Sequence, residues 1–137
     1  MNKFVTFTLF ITLGVFYACM NESKESAINK DELMHKARSL FMTPDSLRSD
    51  EDKILFNKIE AIFYEECPIR NGRFEISVSE NEWKRRGLPE IYYKIMKKDI
   101  EDTNNYINAL PLKDQQSIFD SFHRAKEEFL AREKSRK

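Results

Sequence analysis

The strongest constraint on how this chain folds is a single apolar face that recurs with a period near 3.6. From Pro89 onward, Tyr92, Ile95, Met96, Ile100, Thr103, Tyr106, Ile107 and Leu110 fall on one side of a helix. Lys94, Lys97, Lys98, Glu101, Asn104, Asn105 and Asn108 take the other side, and Pro111 ends the pattern. A helix of about twenty residues is predicted, the longest of the domain. With only 3 glycines in 137 residues, the chain has few turn points to spend on sheet structure.

The neighbouring segments carry the same period. Asn29-Lys30-Asp31-Glu32 reads as a capping box before Leu33, Met34, Ala37, Leu40 and Phe41, and Thr43-Pro44 closes that helix. A second helix starts near Ser49 to Asp52, where acidic residues suit the positive end of the helix dipole. Leu55, Ile59, Ile62 and Phe63 form one stripe on it, while Leu47, Ile54 and Ala61 repeat on another side. Two apolar sides predict a helix covered twice, and hence the central element. Ile118, Phe122, Ala125 and Phe129 mark a last helix beginning near Asp114, with a charged end from Ala131 that is expected to fray.

Between the second and third long helices the period changes. Glu65-Glu66-Cys67-Pro68 stops a helix, and Asn71-Gly72 is a strong hairpin signal. Phe74, Ile76 and Val78 then alternate with polar residues, giving a hairpin over residues 69–78. Ser79-Glu80-Asn81-Glu82 opens a short helix through Arg86, closed by Gly87. The predicted fold is mainly α: a small bundle of four main helices plus one short helix, with a minor β-hairpin, in one domain over residues 30–137.

At the other end, Met1-Asn2-Lys3 leads into Phe4 to Tyr17 without a charge, then Ala18-Cys19. Spanning a bilayer takes about 20 apolar residues. This run is shorter and holds Thr6, Thr8, Thr12 and Gly14, so a cleaved leader fits better than a permanent anchor. Phe16-Tyr17-Ala18-Cys19 resembles the lipobox of bacterial lipoproteins, although that motif usually has Leu where Phe16 stands and a small residue in place of Tyr17. The resemblance implies removal of residues 1–18 as a signal peptide, acylation of Cys19 (palmitate among its chains), and a cell-envelope address at the outer membrane or periplasmic face. Residues 19–29, polar and without apolar periodicity, then serve as a flexible tether. Asp45-Ser46-Leu47 also resembles the Asp-Ser/Thr-aliphatic sites that some bacteria O-glycosylate after export.

Charge narrows the partners. The chain balances 23 basic against 23 acidic residues, and losing Lys3 with the leader leaves one acidic residue in excess. Nucleic-acid binders carry a clear basic excess, so nucleic acid is not expected as a partner. With Cys19 lipidated, Cys67 is the sole remaining thiol, a free one that is either buried or reactive.

Catalytic material is sparse. His35 and His123 belong to no metal-binding spacing, and neither a metal nor a cofactor is expected. Cys67 with either histidine could form a nucleophile–base pair, and Glu65 with Glu66, or Asp99 with Asp102, an acid–base pair. None amounts to a convergent site, so the chain is not read as an enzyme. Trp83 and Tyr93 fit the apolar stripes poorly. Either Trp83 caps the core over the hairpin, or Trp83, Lys84, Arg85, Arg86 and Tyr93 form a partner contact, since exposed Trp, Tyr and Arg dominate interface energies. The expected role is a membrane-anchored, non-catalytic protein-binding module that meets another envelope protein or an incoming toxin, as immunity proteins and accessory subunits do. The alternatives are a small-molecule or lipid carrier with a pocket between helices and, less favoured, a Cys67-dependent enzyme.

Overall fold

A computed structural model describes residues 28–136. Its elements are α1 (Ile28–Met42), a single 3₁₀ turn (Asp45–Leu47), α2 (Asp50–Glu66), β1 (Ile69–Arg70), β2 (Arg73–Phe74), α3 (Glu80–Arg85), α4 (Glu90–Asn108) and α5 (Leu112–Ser135). Four main helices, one short helix and a two-stranded antiparallel hairpin make up a mainly α bundle, as the periodicity predicts.

The helix boundaries follow from capping chemistry. Ser49 Oγ accepts from Asp52 N–H at 3.1 Å and Ser79 Oγ from Glu82 N–H at 3.2 Å, each satisfying a first-turn donor that has no intrahelical acceptor. Gly87 sits at φ +74° and ends α3: its N–H donates to Lys84 C=O, and Leu88 N–H donates to Trp83 C=O. That pair of bonds is a Schellman closure, with Leu88 and Trp83 both buried across it. Pro89 and Pro111 stand immediately before α4 and α5.

In the hairpin Asn71 and Gly72 both take positive φ, 51° and 69°, as a type I′ turn demands, and Arg70 faces Arg73 while Ile69 faces Phe74. Ladder pairing stops at Phe74, but the extended chain continues. Glu75 N–H donates to Pro68 C=O and Ser77 N–H to Glu66 C=O, so residues 75–77 run back along the end of α2. The predicted alternation persists in burial, with Phe74 and Val78 inside, Ile76 half-buried, and Glu75 and Ser77 exposed.

Aromatic side chains join the layers. Between α2 and α5, Phe63 meets Phe122 edge-on at 5.5 Å and Tyr64 stacks on Phe129 at 5.2 Å. Phe74 carries the hairpin into the same cluster, 4.9 Å from Phe122 and 5.8 Å from Phe119. Each such pair contributes about 0.5–1.5 kcal/mol beyond its area burial. Phe41 of α1 reaches Tyr92 of α4 at 5.9 Å and Phe56 of α2 at 6.1 Å. At the α1–α2 corner Arg48 is buried: its guanidinium lies 3.6 Å over the Phe56 ring, and Nε donates to Leu40 C=O at 3.1 Å.

Asn104 makes the contact that docks the hairpin on α4. Its Oδ1 accepts from Phe74 N–H at 2.8 Å and its Nδ2 donates to Phe74 C=O at 2.9 Å, both bonds buried. The side-chain amide takes the place of a neighbouring strand's peptide group.

Several expectations are corrected. Asn104 and Asp99 are buried rather than on a solvated face, because each finds a partner inside, whereas Tyr106 is partly exposed. The element that touches α1, α3 and β2 together is α4, not α2. Leu47 is 74 % and Ile54 58 % exposed, so the second apolar side of α2 stays largely uncovered. Leu33 is 54 % exposed, off the buried stripe of Ala37, Leu40 and Phe41. The longest described helix is α5, with 24 residues against 19 in α4; it starts at Leu112 and stays helical to Ser135. Helix α1 begins at Ile28, which puts the backbone of Asn29 within its first turn instead of at the cap.

Asn104→Ala removes the side-chain amide that the N–H and C=O of Phe74 bond to in the interior, at about 1–3 kcal/mol per group. Urea unfolding is expected to show a loss of roughly 2–6 kcal/mol for Asn104→Ala. A loss below about 0.5 kcal/mol, the level of an indifferent surface change, would mean that the amide does not hold the hairpin.

Candidate functional site

Trp83 belongs to the interior. Ser79 starts α3 and the Gly87 closure ends it, which turns the fourth residue of a six-residue helix inward. Trp83 is 0 % exposed; its Nε1–H donates to Pro89 C=O at 3.0 Å and its ring meets Tyr93 edge-on at 5.6 Å. Tyr93 is half-buried and its hydroxyl donates to Val78 C=O at 3.3 Å. Of the two readings of Trp83, burial in the core is the one that holds, and its one polar atom is satisfied there; it is not available as a partner contact.

The adjacent basic triplet is exposed but compensated. Lys84 Nζ lies 2.8 Å from Glu80 and 3.0 Å from Glu90, Arg85 pairs with Glu82, and Arg86 pairs with both Glu82 and Glu66. Hydrogen bonds from Lys94 and Lys84 hold the Glu90 carboxyl down at about 2, and the carboxylates of Glu80 and Glu90 raise Lys84 in turn. A solvated pair of this kind contributes little to stability, yet the network leaves no uncompensated cationic patch at Lys84 to Arg86.

Cys67 caps the end of α2 and is fully buried. Desolvation, with Glu66 adding to it, pushes the thiol up to about 12. A nucleophilic cysteine needs the opposite shift. His35 and His123 are exposed, and neither is hydrogen-bonded to Cys67 among the described residues. The structure therefore does not assemble the nucleophile–base pair.

The carboxylate pairs separate too. Glu66 is engaged by Arg86 while Glu65 stays exposed. Asp99 is buried and receives a two-pronged bond from Arg38 of α1, Nη2 to Oδ1 at 2.9 Å and Nη1 to Oδ2 at 3.3 Å. Asp102 instead pairs with Lys98 at 3.3 Å. Burial pushes the Asp99 carboxyl up to about 6, outweighing the downward pull of Arg38. Among the described residues no group of three or more His, Cys, Asp or Glu is arranged to hold a metal ion, and no helix is long and apolar enough to cross a membrane. Cys19 and residues 19–27 of the expected tether lie outside the described residues, while its last two, Ile28 and Asn29, belong to α1. Ser46, in the glycosylation-like tripeptide, is exposed.

Sequence reasoning missed a hollow of about 520 Å³, open to solvent, between the chain at Arg73 to Ile76 and α4. Tyr93, Lys97, Ile100, Glu101 and Asn104 line its helical side. Its signal was available: Asn104 lies four residues after Ile100 and three before Ile107, a core position on the α4 period.

Two measurements check these assignments. Cys67 is expected to resist a thiol reagent at pH 8 in the native chain and to react on unfolding; rapid native labelling would contradict its burial. Asp99 is raised on folding, so its contribution to stability is complete below about pH 4 and is lost as pH rises through about 6. Comparing Asp99→Asn with the parent from pH 4 to 7, the stability difference should move toward the variant by on the order of 3 kcal/mol. A difference independent of pH would contradict the raised carboxyl. No family model matches the chain, and neither a curated protein nor a solved structure does.

Proposed function

We propose that the protein is a lipid-anchored component of the bacterial cell envelope whose helical domain binds another protein without catalysing a reaction. The observation that carries this reading is apolar exposure at the α1–α2 corner. Met42 ends α1, Leu47 lies in the turn and Ile54 in the second turn of α2, and all three large side chains face water. Singly scattered apolar residues on a surface are ordinary, whereas apolar side chains gathered in one patch mark interaction sites; the placement of these three on consecutive elements at one corner supports that reading.

The burial and raised thiol of Cys67 weigh against the cysteine-enzyme alternative. The hollows beside α4 and along α5 are open rather than enclosed, which weighs against a carrier that must shield its cargo. The anchor rests on the lipobox-like segment ending in Cys19. Several acyl chains on one residue hold a protein stably where a single chain exchanges. A tethered binding domain of this size suits an immunity-type protein facing an incoming toxin, or an accessory subunit of an envelope assembly.

The test uses the full chain with Cys19 intact and a photo-crosslinking residue at Leu47 or Ile54, irradiated in the native envelope. One recurrent partner is expected, with a control position at Arg124 giving none. Cys19→Ser is expected to abolish acyl labelling and release the protein from the membrane fraction. Repeated failure to capture a partner would remove the binding reading, and unchanged labelling of Cys19→Ser would remove the anchor.

A further inference from the structure

The extended chain after the hairpin turn is paired along one edge only. Glu75 and Ser77 donate to Pro68 and Glu66, so their peptide groups face back toward β1 and the end of α2. Peptide groups of successive residues in a strand point to opposite edges. Those of Phe74, Ile76 and Val78 therefore face α4. There the helix supplies substitutes for a missing strand: Asn104 takes both groups of Phe74, and the Tyr93 hydroxyl takes Val78 C=O. Ile76 stands between them, and its N–H and C=O have no hydrogen-bond partner among the described residues. Opposite Ile76, between Tyr93 and Asn104 along α4, come Lys97, Ile100 and Glu101, and the space enclosed is the open hollow of about 520 Å³.

We propose that this hollow receives a short extended peptide segment of a partner protein, one residue of which exchanges both backbone hydrogen bonds with Ile76. The proposal rests on the protein-binding reading and adds to the α1–α2 corner a second contact site, with different residues. In an antiparallel pair a single residue gives and takes both bonds, which matches the one open donor and acceptor at Ile76. Because Phe74 and Val78 are already engaged, pairing ends after that residue and the segment is short. The rim defines its charges. Lys97, Glu101 and Arg73 have no ion-pair partner among the described residues, in contrast to Lys84, Arg85 and Arg86. A segment with an acidic residue toward Lys97 and Arg73 and a basic residue toward Glu101 complements all three. Between them, Ile76, Ile100 and Tyr93 supply an apolar floor for its central side chain.

The experiment pans a displayed library of linear heptapeptides against the full chain in detergent micelles and carries the selected peptide forward as the probe. Titration followed by amide NMR is expected to shift the Ile76 N–H, with Lys97 and Glu101 moving alongside. Ile76→Pro deletes the open donor without breaking an existing bond and is expected to weaken the peptide at least tenfold. The exchange Lys97→Glu with Glu101→Lys alters only exposed residues; it should weaken the same peptide and be rescued by a peptide with its charges exchanged. An unchanged urea midpoint shows that each variant is folded. Failure to select any peptide, an unmoved Ile76 amide, or equal affinity for parent and charge-exchanged chain overturns the proposal. Capture of a partner through Leu47 and Ile54 while hollow variants bind it normally also refutes the hollow and leaves the binding reading intact. Peptide binding at Ile76 without any envelope partner would instead remove the binding reading alone.

Discussion

The hairpin of this protein holds its place through one side-chain amide. Two strands of two residues cannot stand alone in water, and Phe74 must leave solvent to complete the aromatic cluster formed with Phe119 and Phe122. Burying Phe74 strands its own peptide groups unless something on α4 answers them. Asn104 answers both, and a donor and acceptor on one rigid amide fix the spacing as well as the contact. The chain beyond Phe74 is held separately, by the bonds of Glu75 and Ser77 back to Pro68 and Glu66, and Trp83 by its bond to Pro89.

Apolar periodicity made most of the architecture legible, because helix burial follows a repeating side-chain pattern that needs no knowledge of partners. Gly87, Asn71 and Gly72 were legible for a related reason: each occupies a backbone region that few residues accept. Buried polar residues were not. Asp99, Asn104 and Arg48 read as surface by composition, and only their partners Arg38, Phe74 and Leu40 explain their burial. Those partners lie 61, 30 and 8 residues away in sequence, and a local pattern holds no record of them. At Trp83 the sequence left two readings open, and partners outside α3 decide between them. A basic triplet beside an aromatic residue suggests an interface, but the carboxylates that neutralise it come from three separate elements.

Function divides along the same line. Of the groups the sequence offers for chemistry, Cys67 is buried with its thiol pushed up, and Asp99 and Glu66 are engaged in ion pairs, while His35, His123 and Glu65 stand exposed. Among the described residues, the groups on which the proposed binding would draw include the exposed apolar side chains at the α1–α2 corner, the open strand edge at Ile76, and the charges of Lys97, Glu101 and Arg73, which have no ion-pair partner.

Helix α1 adjoins the N-terminal segment, so any pull on an anchored chain arrives there first. Arg38 meets Asp99 while Phe41 meets Tyr92, so rising numbers in α1 run against falling numbers in α4 and the two helices lie antiparallel. Tension directed along the axis of α1 therefore acts along the contact and not across it. Helices loaded in this sliding geometry must lose their interactions together, whereas a peeling geometry breaks them one at a time. If the chain is held at Cys19 as proposed, the Arg38–Asp99 fork and the Phe41–Tyr92 contact share any load applied along α1.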